Sequence, residues 1–204
     1  MTCGHAEAGQ NAAVPSRVKS RILELAADLF YREGFHAVGV DRIVAGAGTT
    51  KTTFYRHFES KDALILQVLA DNERWWQRTF AALLAERGGP TPLGQLRAVF
   101  DVLDELVATR MFNGCMFVNV SVEFPRRHDP VHRAAAEHRR AMEALVRDLA
   151  VRAGLRDPVA FAAQLALLMD ASFLSRQIDE PERPADAARH LGALLLAEHA
   201  PADA

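Results

Sequence analysis

Thr49-Thr50-Lys51-Thr52-Thr53-Phe54-Tyr55-Arg56-His57-Phe58 is the stretch whose reading decides the fold, preceded by Gly48 and followed by Ser60-Lys61-Asp62. A core helix would not give its exposed face to four threonines, Lys51, Arg56 and His57. A helix lying in a DNA major groove would, because each of those side chains can meet a phosphate or a base edge. Phe54 and Phe58 are four residues apart, so they pin one face and leave the opposite one free.

Working outward, residues 39–47 form a second short amphipathic segment with Val40, Ile43 and Val44 facing inward. Gly48 supplies a turn that calls for positive φ, and Thr50 is placed to cap the next helix. Upstream, Val18, Ile22, Leu25, Ala26, Leu29 and Phe30 recur at three- and four-residue steps, which predicts a helix over 16–33. Gly34 stops it and lets Phe35 fold back on its last turn. Short helix, glycine turn, short helix is a helix-turn-helix pattern.

Downstream, Ser60 caps a longer helix over 61–86 carrying Leu64, Val68, Leu69, Trp75, Trp76 and Phe80. Gly88-Gly89-Pro90 and Pro92 break the chain. Helices follow over 93–108, 131–153, 159–178 and 185–199, with an apolar segment at 115–124. No strand alternation of useful length appears, so the fold expected is all-α. The expected organisation is a disordered arm (1–15), a helix-turn-helix DNA-binding domain (16–62) and an effector-binding and dimerisation domain (63–204).

Half of the 204 residues are apolar, enough for a real core. No run of roughly 18 apolar residues is evident, so no membrane span is expected, and the N-terminus lacks the basic start and apolar core of a secretory signal. Cys3 and Cys115 form neither a metal-spaced pair nor a disulfide framework, which fits a reducing cytoplasm. Net charge is −2, at first sight wrong for a nucleic-acid binder. Its distribution is better: residues 16–62 hold eight Lys/Arg against six Asp/Glu, and all three lysines (Lys19, Lys51, Lys61) fall there. So small an excess means that binding depends on where the charges sit.

The string from Arg42 to Phe58, with Tyr55-Arg56-His57-Phe58-Glu59-Ser60-Lys61 after the glycine turn and then Asp62-Ala63-Leu64, resembles the TetR (tetracycline-repressor-like) family of bacterial transcriptional regulators. The close match covers about residues 17–65, and Gly114-Cys115-Met116-Phe117-Val118-Asn119 is similar to a C-terminal subgroup. The resemblance implies a homodimer whose N-terminal three-helix head reads double-stranded DNA while a larger helical part binds a small molecule and dimerises. Carried over by position, Thr53, Tyr55 and His57 match contacts to phosphates or flanking bases, Lys61 matches a phosphate contact, and Lys51 and Thr52 stand where bases are read. With Arg42, Thr49, Thr50 and Arg56 these make the expected DNA-binding set. Three positions depart from the pattern. Gly39 replaces a capping Ser or Thr, Thr52 replaces a common glycine and adds a methyl for a thymine, and Asp41 puts a negative charge on a helix facing DNA. The plainer reading of the same helix is a solvated polar face, with Tyr55 a packing residue.

A pocket in a helical bundle belongs between the helices. The expected ligand-binding set is Trp76, Phe80, Phe100, Met116, Phe117, Phe161 and Leu168, with Asn119, Glu123 and Gln164 as polar groups among apolar neighbours. Phe112, Phe124, Met142, Met169 and Phe173 are further candidates, and any of these side chains could instead be ordinary core. The implied effector is small and apolar or amphipathic. No cofactor is expected. His128, His132 and His138 lack a completing cysteine or carboxylate, so no metal site is expected either. Cys115 reads as a buried small hydrophobe, and no catalytic constellation is visible. The last two helices are expected to pack against a second copy through Leu165, Leu168, Leu191, Leu194, Leu195 and Leu196, with small residues Ala162, Ala166 and Ala193. The functional expectation is a ligand-responsive repressor on a pseudo-palindromic operator. A constitutive or architectural DNA-binding protein without an effector is the alternative; an enzyme is not expected.

Overall fold

The computed structural model describes residues 17–108, 112–179 and 186–201; the arm expected over 1–15 lies outside them. Ten helices and no strand occur among the described residues. The head comprises α1 (Arg17–Glu33), α2 (Val40–Gly46) and α3 (Lys51–His57), followed by a long α4 (Lys61–Gly88). The remainder is α5 (Pro92–Arg97), α6 (Val99–Val107), α7 (Met116–Glu123), α8 (Pro130–Arg152), α9 (Pro158–Asp179) and α10 (Asp186–Glu198).

The local signals place most helix ends. Thr50 Oγ1 accepts from Thr53 N and Ser60 Oγ from Ala63 N, capping α3 and α4. Gly48 sits at φ +56° between α2 and α3, where a β-carbon would be strained. Gly39 offers α2 no side-chain cap. The helix expected over 93–108 is two helices instead. Thr91 and Pro92 start α5, and the chain resets at Ala98 before α6. Nothing in the local sequence marks that reset, because it comes from packing.

Ile22, Ala26 and Phe30 of α1 meet Ile43 and Phe54 in a buried head core that continues into Leu64 and Ile65 of α4. In the larger part, α8 packs on α4, α5, α7 and α9, while α10 lies on α6 and α9. The far end of α4 is held hard against α5. A β-carbon on Gly88 would come within 2.4 Å of Gln95 Cα, so only glycine permits this backbone approach.

The helix α9 is apolar on two faces. Phe161, Leu165, Met169 and Phe173 are buried, whereas Val159, Leu167, Leu174 and Ile178 are exposed, Leu167 at 62 % and Ile178 at 67 %. Its stretch Pro158–Ile178 is therefore long and apolar enough to cross a membrane, with a mean hydropathy of 1.4, which the sequence reading did not foresee. Asp170 interrupts it, and a buried core face passes the same test of length and composition.

Candidate nucleic-acid interface and ligand cavity

Phe54 is fully buried and fixes the rotation of α3, so Lys51, Thr52, Tyr55 and Arg56 are exposed and Thr53 and His57 half-buried along its outer face. Tyr55 is 54 % exposed, its ring edge-on to Phe54, so it is not packed away as a core residue. The two cations flanking this face carry their own counter-charges. Lys51 Nζ lies 2.7 Å from Asp41 Oδ1, which raises the lysine pKa, and Arg42 forms a forked pair with Glu33. Lys61 is half-buried: its ammonium points at the His36 carbonyl at 3.5 Å and lies over the Phe30 ring, and burial lowers its pKa. Thr50 accepts at the helix cap and lies 3.1 Å from the Thr53 hydroxyl, while Thr49 N donates to Val44 O in the turn. Thr50 and Arg56 are exposed and Thr49 is half-buried.

A cavity of about 220 Å³ lies between α4, α7, α8 and α9. Its apolar wall is Trp76, Phe117, Val118, Met142, Met169 and Phe173, with Cys115 and three alanines. Its polar wall is Ser121, His132, His138, Arg139 and Asp170. His138 is buried, stacked on Phe117 with centroids 3.7 Å apart, and its Nδ1 is 2.5 Å from Glu73 Oε2 on α4. Burial lowers its pKa; Glu73 and Asp170 act in the opposite direction. Arg139 Nε donates to Asp170 at 2.9 Å, and its Nη1 to Glu143 at 3.1 Å. Burial pushes the Cys115 thiol up to about 11, which leaves it an inert hydrophobe near neutral pH.

Cavity and head are joined by side-chain bonds as well as by α4. The Glu123 carboxylate, at the end of α7, accepts from Phe35 N at 2.9 Å and His36 N at 2.7 Å, in the turn between α1 and α2. His36 stacks on Phe124 with centroids 4.6 Å apart. Before α7, Tyr31 of α1 donates to the Gly114 carbonyl and accepts from Asn113 N. Both ends of α7 thus hold the head, while Phe117, Val118 and Ser121 of the same helix line the cavity.

Residues 22–68 match the family model for bacterial regulatory proteins, tetR family, and residues 92–191 match the tetracyclin repressor-like C-terminal domain. The crystal structure of SCO4454, a TetR-family transcriptional regulator from Streptomyces coelicolor, superposes with a TM-score of 0.84 at 34 % identity, covering 90 % of this chain and 96 % of that one. The chain belongs to the TetR family of transcriptional regulators. A putative TetR regulator from Streptomyces avermitilis is similar at 28 % identity, with a TM-score of 0.77 over 90 % of this chain and 98 % of that chain. The HTH-type transcriptional repressor DhaR of Mycobacterium sp. (strain GP1) is 32 % identical over 114 residues, 56 % of each chain. The match spans about half the length of such curated relatives. This TetR-family chain is a DNA-binding transcriptional regulator, not an enzyme.

The regulator's expected ligand set fares unevenly. Trp76 and Phe117 line the cavity, but Phe80 is fully buried behind Trp76 and Met116, beside Phe117, points away from it. Phe100 lines a separate groove between α5, α6, α9 and α10, and Leu168 is half-buried outside the cavity. Phe161 is core, edge-on to His199. The three expected polar ligands are occupied elsewhere. Glu123 holds the head, Asn119 donates to Asn113 O at 2.7 Å, and Gln164 is exposed and pairs with His199. Their chemistry read correctly as hydrogen bonding, but the partners are protein. Four polar residues outside the expected set, His132, His138, Arg139 and Asp170, line the cavity. Asp170 is the lone carboxylate in the run Leu165–Phe173, a signal readable in the sequence, and it pairs with Arg139, both side chains being half-exposed.

Proposed function

We propose that this regulator is a ligand-responsive repressor acting in the cytoplasm as a homodimer on a pseudo-palindromic operator. Residues 16–62 read double-stranded DNA, and residues 63–204 bind a small effector and the second copy. DNA contacts come from Thr49, Thr50, Lys51, Thr52, Thr53, Tyr55, Arg56 and His57, with Arg42 and Lys61 supporting from the flanks once their internal partners are exchanged for phosphates. One observation carries the ligand response: α4 and α7 each touch both the cavity and the head, through Trp76 and Lys61 in one case and Phe117 and Glu123 in the other. Both sets of contacts end on the turn between α1 and α2, so a molecule that shifts these helices in filling the cavity would displace the head that carries α3. Coupling of about 1–3 kcal/mol would change operator affinity some 5- to 150-fold.

The dimer surface is the outer face of α9 and α10. Val159, Leu167, Leu174, Ile178, Leu191 and Leu194 are exposed apolar side chains on it. Leu165, Ala162 and Ala166, expected at that surface, are buried inside the protomer instead. A single short head grips DNA weakly, and two held about 34–36 Å apart gain specificity by symmetry. The test is a mobility-shift assay on DNA immediately upstream of the regulator's own gene, with and without a small-molecule extract of the host cells. Release of a two-protomer complex by the extract is expected; a complex indifferent to every extract would sink the ligand-responsive reading.

A further inference from the structure

The polar wall of the cavity is unusual in what it offers. His138 Nδ1 faces the Glu73 carboxylate and His132 Nδ1 faces the Phe124 carbonyl at 2.8 Å. Both partners can only accept, so in each neutral ring Nδ1 carries the proton and Nε2 is a bare acceptor. Neither Nε2 is engaged by another group among the described residues. The Ser121 hydroxyl donates to the Val118 carbonyl at 2.8 Å, which leaves it lone pairs only. Asp170 adds a further carboxylate oxygen. Charge points the same way: the Arg139 cation is already shared between Asp170 and Glu143, and Glu73 stands behind His138. The wall is thus rich in acceptors and poor in positive charge.

Resting on the effector-pocket reading above, we infer that the effector is a neutral, flat, one- or two-ring aromatic molecule bearing a hydroxyl or N–H that it donates to His138. The ring would lie among Trp76, Phe117 and Phe173, whose faces suit another π-system. A cavity of about 150 Å³ admits benzene, so one of about 220 Å³ admits a fused or substituted ring. An anionic ring would meet the Asp170 carboxylate and a single cation, Arg139, that is already paired with Asp170 and Glu143, and is disfavoured. Burial keeps His138 neutral at pH 7.5, so its acceptor is available.

Calorimetric titration of the full-length protein at pH 7.5 with 2-naphthol, 2-methylnaphthalene and 2-naphthoate separates the possibilities. The first two are nearly isosteric, and the methyl compound is the more hydrophobic, so hydrophobicity alone favours it. We expect 2-naphthol to bind about tenfold tighter than 2-methylnaphthalene, a difference of about 1.4 kcal/mol, and 2-naphthoate to bind weakest. In the variant replacing both members of the buried pair (Glu73→Leu with His138→Phe), the preference for 2-naphthol over its methyl analogue should disappear, whatever change the reshaped wall makes to the affinity for both. Equal or tighter binding of 2-methylnaphthalene, or a preference for 2-naphthoate, would overturn the inference while leaving the effector pocket standing. No binding by any of the three would overturn both.

Discussion

Lys51 and Asp41 pair on the proposed DNA-facing surface, where a single side chain would set the balance between affinity and discrimination. Asp41 holds Lys51 at 2.7 Å on an exposed surface, where ion pairs contribute little to folding. On the proposed DNA-facing surface it would instead cancel one positive charge until a correctly placed base or phosphate competes for the lysine. Asp41→Asn is therefore expected to strengthen binding to random DNA and steepen its salt dependence by about one phosphate's worth. Filter binding across a salt series checks this, and an unchanged slope would mean Asp41 is a spectator. His138 gives a residue-scale pH effect. Its folded pKa lies below its ordinary 6.5, so between the two values the unfolded chain binds more protons and stability rises with pH. That contribution is complete above pH 6.5 and is lost as pH falls through the folded value. Urea unfolding at pH 7.5 and 5.5 should show wild type losing stability on acidification by more than the Glu73→Leu, His138→Phe double variant. Glu73, Asp170, His132 and Arg139 share that environment and are common to the interpretation.

Among the elements, α7 deserves the closest comparison with its sequence. Eight residues long, it touches the cavity with Phe117 and the head with Glu123. If it carries part of the ligand response, Glu123→Ala should leave folding and operator binding within about threefold of wild type. The same change should cut effector-induced release substantially, because two backbone N–H groups lose their tie. Fluorescence anisotropy on labelled operator, with and without effector, reads both quantities, and an undiminished response would remove α7 from the pathway. The helices themselves were legible in sequence because their signals are local: Thr50 and Ser60 cap through bonds three residues away, and Gly48 needs only its own φ. The cavity was far less legible. Met116 and Phe117 are neighbours of similar size, and only the seating of α7 on α8 decides that Phe117 faces the void. Glu123 reads as a ligand group because nothing nearby in the chain satisfies it, its partners being 87 and 88 residues away, whereas Asn119 finds the Asn113 carbonyl only six residues back through a turn that the sequence does not announce. The reset at Ala98 was invisible for the same reason.

At the scale of the whole molecule, the exposed leucines of α9 and α10 predict the assembly. Leu167→Glu combined with Leu174→Glu places two charges per protomer on a face proposed to meet its copy. Sedimentation at micromolar concentration should show monomers, and operator affinity should fall by more than tenfold although each head stays folded. A variant that remains dimeric would move the interface elsewhere. The close approach of Gly88 to the backbone of α5 has a mechanical consequence. With that end pinned, α4 would act as a lever with its fulcrum at the tail. At about 1.5 Å per residue, Trp76 sits about 18 Å from the fulcrum and Lys61 about 40 Å. A push at Trp76 would then be more than doubled where the helix meets the head, so that, on the proposed ligand-responsive reading, a displacement no wider than a bond at the cavity would carry α3 out of register with a DNA groove.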